Sequence, residues 1–439
     1  MRRRSFLTAA LAAAGGSALA GCAGGDDGVA ADGTVTLDYL SLAWQRESVA
    51  ANRALVREWN RRHPRTRVRY VQGSWDTVHD QLLTSFEGGS APDVIHDEAG
   101  DLTDFAHGGY LADLSGLLPE QLRRRIPERS WDTARFDGGV YGVPFVQEPR
   151  VLIANRALLE RAGVPLPTPE RRWTWAEFEE VARELTVRRH GRTVTYGVAW
   201  SMKEPVNQSL NLSLTTGGRI LYRRDGRNVI RFDEPDSAVP ELVRRQVHRH
   251  GSAARSSLGM GGSDTLPGFF AGRYAMLPLN FSFRQQVHQQ APDGFDWVTL
   301  PLPGGDPAAG GGTRQGCSPQ TLSISRDCRH PRAAMAFVAF LTRTRHLVRL
   351  ARADWLLPTG TEALSDPSLT VERHGWGTGA AVAGDLTASP MLGVRGYPEW
   401  KDKVATPAFQ QYYSGSIGLG ELRRQLVEDG NRVLARYQR

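Results

Sequence analysis

Eleven tryptophans, set among carboxylates and amides, are the residues of this 439-residue sequence best suited to hold a ligand. An indole offers a flat apolar plate, and a carboxylate or amide makes hydrogen bonds in its own plane. Together they suit reversible capture of a ring with C–H faces and a rim of hydroxyls, as in a pyranose. Trp44 and Gln45 follow an alternating strand, and Trp75 opens a helix. Asp97 and Glu98 close a third strand, and Trp200 ends a later one. Asn207, Gln208, Asn280, Arg395 and Tyr397 add hydrogen-bonding candidates. The ordinary reading of each is core packing for an indole and solvated surface for a polar group. Trp59, Trp173, Trp175 and Trp297 sit on amphipathic elements and are assigned to core or surface. Covalent chemistry has little support. Ser414-Gly415-Ser416-Ile417-Gly418 misses the G-x-S-x-G nucleophile turn at its first position. His248 and His250 lack a third ligand nearby, so no metal and no cofactor is expected.

These candidates need elements to hold them. Thr34 to Leu42 alternates as a strand does. Asn52, Leu55, Val56 and Trp59 recur at helical spacing before Pro64 stops the run. Val68 to Val71 reads as a second strand, and Ser74 as the cap of a helix over 75–87 ended by Gly88-Gly89. Pro92-Asp93-Val94-Ile95 opens a third strand. Strands alternating with helices call for a parallel sheet, whose ligands gather beyond the carboxyl ends of the strands. Gly138 to Pro144 reads as a tight hairpin and Val151 to Ala154 as a strand. Thr174 and Glu177 form a capping box, and Tyr196 to Trp200 a further strand.

The N-terminus has its own logic. Arg2, Arg3 and Arg4 precede an apolar stretch from Phe6 to Leu19, too short for a stable membrane span. Residues 1–21 therefore read as an export signal, and Arg3-Arg4-Ser5-Phe6-Leu7 is similar to a twin-arginine signal. Leu19-Ala20-Gly21-Cys22 resembles a lipobox, which would make Cys22 the lipidated first residue; the alternative is an ordinary cleaved signal. Residues 22–33 look like a flexible tether with a reach on the order of 20 Å. The formal net charge of +7 includes the three signal arginines, and the remaining bases are scattered among acids, so nucleic acid is not expected as a partner. Lysine occurs only at Lys203, Lys401 and Lys403; arginine does the rest. Cys317 and Cys328 could pair in an exported protein, although a straight strand between them would hold the sulfurs apart.

An ordered series of motifs resembles the bacterial extracellular solute-binding proteins of family 1. Ser90-Ala91-Pro92-Asp93-Val94 is similar to its G-x-x-P-D-V segment. Tyr141-Gly142-Val143-Pro144, Leu152 to Asn155 and Ala162-Gly163 resemble its Y-G-V-P signature, with Ala154 in place of the usual tyrosine. Trp173 to Phe178, Phe270 to Met276, Gly310 to Arg332 and Phe409 to Leu434 continue the match, with Gly420 where serine or a neighbour is usual. The resemblance runs from Thr34 to the C-terminus. It implies an α/β, two-lobed periplasmic-binding-protein-like fold of type II, each lobe a central sheet flanked by helices, with the ligand between them. One lobe is expected at 34–147 plus 277–341 and the other at 149–275 plus 342–439, with hinges near Glu148, Met276 and Leu341. The resemblance also places Glu148 in a hinge turn, Trp355 near the cleft, and Phe281 with Phe283 where a stacking aromatic stands.

The implied function is that of a monomeric, lipid-anchored binder on the outer face of the cell membrane. It would capture a small molecule, a sugar or oligosaccharide, and deliver it to an ABC permease and its ATPase subunits. The same fold could hold a peptide or polyamine instead. An exported glycoside hydrolase using Asp97, Glu98 and Glu148 is the rival from another class.

Overall fold

The computed structural model describes residues 33–438; the expected export signal, Cys22 and the expected tether up to residue 32 lie outside the described residues. The first strand, β1 (Val35–Ser41), pairs in parallel with β2 (Thr66–Gln72), setting Leu37 opposite Val68. Between them α1 (Arg46–Arg62) buries Ala51, Leu55, Val56 and Trp59 against the sheet, one face of its 3.6-residue period. The next helix, α2 (Val78–Glu87), leads to β3 (Val94–Glu98), which lies on the other side of β1, and α3 (Ala99–His107) follows directly. The first sheet is completed by antiparallel segments from far along the chain: Gln320–Ile324, Val143–Gln147 and Leu357–Pro358.

A second sheet has the order Trp297–Pro301, Arg150–Asn155, Tyr274–Asn280, Arg192–Val198 and Val187–Arg189. The capping box is present, with the Thr174 hydroxyl accepting from Glu177 N and the Glu177 carboxylate from Thr174 N. Among the described residues no helix is long and apolar enough to cross a membrane.

The sheets correct the sequence partition of the lobes. Leu277, Pro278 and Leu279 continue in register against Ile153, Leu152 and Val151, so the chain stays in the second sheet through Asn280 and again over Trp297–Pro301. After Leu341 the chain keeps to the first lobe, because Thr344–Ala353 buries Leu347, Val348, Leu350 and Ala351 in the core that α1 also builds. Chain therefore passes between the sheets at Glu148-Pro149, at Ser318-Pro319, and between Pro358 and Trp376. At the first two crossings a proline fixes φ next to a cleft residue.

Cys317 and Cys328 are buried free thiols, pushed up to about 12 by burial. They flank the strand Gln320–Ile324, whose length separates them.

A polar cleft between the two lobes

Three connected spaces of about 200, 190 and 360 Å³ lie between the sheets, and Glu98 and Ser318 line all three. Their position follows from topology: β3 ends at Glu98, and Ser318 occupies the second crossing. Glu98 also stands where α3 begins, and its Oε1 lies only 2.9 Å from where a Cβ on Gly100 would be. That glycine lets the carboxylate fold back over the backbone. Burial pushes the Glu98 carboxyl up to about 7, with Asp101, Glu148 and Glu204 adding to it and Lys401 opposing.

At the first crossing Glu148 is held on both oxygens. Oε1 accepts from Asn280 Nδ2 and Oε2 from Ser282 N, each at 3.0 Å. Burial raises its pKa, and those hydrogen bonds and Arg150 counter the rise. Two residues on, Arg150 faces the largest space; burial takes its guanidinium down to about 10 against the pull of Glu148.

The first-lobe wall carries Trp44, Gln45 and Trp75. Trp44 is 56% exposed, the most exposed large apolar side chain described. Trp75 owes its place to a local departure from expectation. Instead of capping a helix at residue 75, Ser74 Oγ accepts from Asp76 N in a turn, and α2 begins only at Val78. The turn leaves the indole free to face the cleft. Behind it, His96 Nδ1 accepts from Leu42 N, so its Nε2 donates to Gln320 Oε1 at 2.8 Å. Burial pushes the His96 imidazole down to about 4 and keeps it neutral, and the Gln320 side chain it holds lines the same space as Trp75. From the second lobe, the helix Pro205–Ser213 presents Asn207 and Asn211, and Tyr397 Oη donates to Asn207 Oδ1.

Trp44, Gln45, Trp75, Glu98, Glu148, Asn207, Gln208, Asn280 and Tyr397 thus share one cleft. Of the other candidates only Phe283 reaches it. Asp97 sits on the opposite face of β3, as strand alternation requires, where its Oδ1 accepts from Glu98 N and burial with nearby Asp101 holds its carboxyl well above the ordinary range. Trp200 is wholly buried, its Nε1 donating to Gln246 Oε1 beside Trp175 and Phe178. Phe281 is also buried, against Trp376 and Gly379, whereas Phe283 two residues later does line the cleft. Trp355 turns inward in a left-handed conformation (φ 56°) to stack with His288 and His374, leaving its neighbours Asp354 and Leu356 at the cleft. Arg395 is not part of the lining, and His248 is bonded to the Tyr413 carbonyl.

Sequence reasoning missed Asp101, Arg150, Ser318, Asp354, Lys203 and Lys401. A signal for the last two was present: in a chain that otherwise uses arginine, two of three lysines line the cleft.

Two α/β lobes with a polar, aromatic-edged cleft at their crossings define a solute-binding protein of the type II periplasmic class. The chain belongs to the bacterial extracellular solute-binding protein family, whose pattern matches residues 43–346. It is 58% identical, over 92% of this chain and 88% of the other, to a Streptomyces antibioticus protein named as an uncharacterized lipoprotein in the oleD 5′ region. A multiple sugar-binding protein of Streptococcus mutans is 22% identical over 73% of this chain and 74% of that one. The fold matches the GacH receptor of Streptomyces glaucescens, solved unliganded and with acarbose and an acarbose homolog, at TM-score 0.75 and 21% identity, covering 92% of this chain and 99% of that one.

Proposed function

We propose that this protein captures a saccharide in its interlobe cleft and hands it to an ABC permease, without making or breaking a bond. The observation that carries the reading is the composition of the cleft walls. The exposed indole of Trp44 and the half-buried one of Trp75 line the cleft with a set of amides and carboxylates from both lobes, with Glu98 and Ser318 at the centre. Plates and in-plane hydrogen-bonding groups are what a sugar ring requires. The names of the streptococcal relative and of the GacH complex, a sugar binder and an acarbose complex, agree with it. Ligand bridging both walls favours the closed arrangement, which the permease would read. Lipid on Cys22 would hold the protein at the outer face of the membrane as a monomer, in keeping with the lipoprotein name of the Streptomyces antibioticus relative.

The test is a thermal-shift screen of protein lacking residues 1–22 against a carbohydrate panel. A saturable upward shift with a saccharide is expected. Shifts with peptides or polyamines alone would refute the reading, and turnover of an aryl glycoside would replace it with a hydrolase.

A further inference from the structure

The three spaces of the cleft differ in charge. In the first, Lys401 stands among the acids, and in the largest, Arg150 and Lys203 do. The remaining space has no basic residue in its lining, yet Glu98, Glu148 and Asp354 all face it. Two buried acceptors in its wall have no partner: Gln45 Oε1 and Asp354 Oδ1. Their residues are only 6% and 8% exposed, so bulk water does not serve those atoms well. Trp44 and Trp75 complete the wall, and the faces of indoles attract cations.

We propose that the space bounded by Trp44, Gln45, Trp75, Glu148 and Asp354 is an ammonium subsite, and that the captured saccharide carries a protonated amino group there. The inference rests on the saccharide reading above and narrows its ligand class. A hydroxyl brings one donor and leaves three carboxylates repelling each other. An ammonium brings three donors and a positive charge, satisfying both orphan acceptors and relieving the repulsion. Glu148 takes part mainly through its charge, because Asn280 and Ser282 already occupy its oxygens. Asp354 is the group with an open lone pair, and Gln45 sets the direction of the second bond.

The test is calorimetric titration of the full chain in detergent with a glucosamine trisaccharide, its fully N-acetylated counterpart, maltotriose and spermidine. We expect the amine-bearing trisaccharide to bind at least tenfold more tightly than the acetylated one. Asp354→Asn should reduce that preference below threefold, and Gln45→Leu, which leaves the charge unchanged, should reduce it as well. Melting curves of both variants establish that they fold. If the acetylated or neutral trisaccharide binds as tightly as the amine, or the preference survives in both variants, the ammonium subsite is refuted while saccharide capture stands. If spermidine alone binds, or no saccharide does, both readings fall together.

Discussion

Asp354→Asn should stabilise the unliganded protein at alkaline pH and do almost nothing in acid. Burial, with Glu148 adding to it and the Ser48 hydroxyl opposing, pushes the Asp354 carboxyl from 3.8 up to about 7. Between those values the folded protein holds a proton that the unfolded chain has released. Folded stability therefore declines as pH rises through that window and levels off above about 7. The shift is roughly three units at 1.36 kcal/mol each, so the ceiling is about 4 kcal/mol. The 8% of the residue that remains exposed keeps part of its hydration, and we expect about 2 kcal/mol. Asparagine has no charge to bury, so its advantage should be full at pH 8 and close to nil at pH 3, below the unfolded pKa of 3.8. Urea unfolding followed by tryptophan fluorescence at the two pH values measures it, with the m-value serving as a check that compactness is unchanged. An equal offset at both pH values, or a less stable variant at pH 8, would refute the claim that this carboxylate is held against its preference.

Other outcomes follow from the same geometry. Trp44→Ala should weaken ligand binding by about 1 kcal/mol or more with an unchanged melting temperature, read by calorimetry and thermal unfolding. Trp200→Ala should instead destabilise the fold by about 3–5 kcal/mol, measurable by urea unfolding, since it empties a buried site and orphans Gln246. Gly100→Ala should push the Glu98 carboxylate out of position and reduce affinity severalfold, with little loss of stability. His96 is buried neutral with its pKa down at about 4, so the unfolded chain binds the proton first as pH falls below 6.5. Its contribution should be lost from there down to about 4, by up to about 3 kcal/mol, and His96→Gln should remove that slope from the urea-unfolding pH profile.

Much of the first lobe could be read from the chain because its signals are local. β1, α1, β2 and β3 announce themselves through periodicity, and the strand ends at Trp44 and Glu98 led directly to the cleft. The misses have a common cause. Trp200, Phe281 and Trp355 were plausible plates by position, yet an aromatic at a strand end packs inward as readily as outward, and the choice lies with residues remote in sequence. Gln246 receives the Trp200 indole, and Gly379 makes room for Phe281.

Arg284 settles the case of Trp355, and no local pattern reveals it. This fully buried guanidinium has no carboxylate partner among the described residues and lies 3.1 Å from the Phe281 ring centroid. It donates to the carbonyls of Phe281, His374 and Trp355, and the latter two residues have left-handed backbones. Those bonds tie the helix Phe283–Gln290, which connects two strands of the second sheet, to the loop that carries Asp354, so a side chain outside the cleft positions one inside it. Replacing Arg284 with methionine fills the volume but orphans the carbonyls, and should cost about 3 kcal/mol or more in urea unfolding. The same variant should weaken ligand binding through Asp354, whereas a methionine variant that lost stability and kept its affinity would show that the loop is held by packing alone.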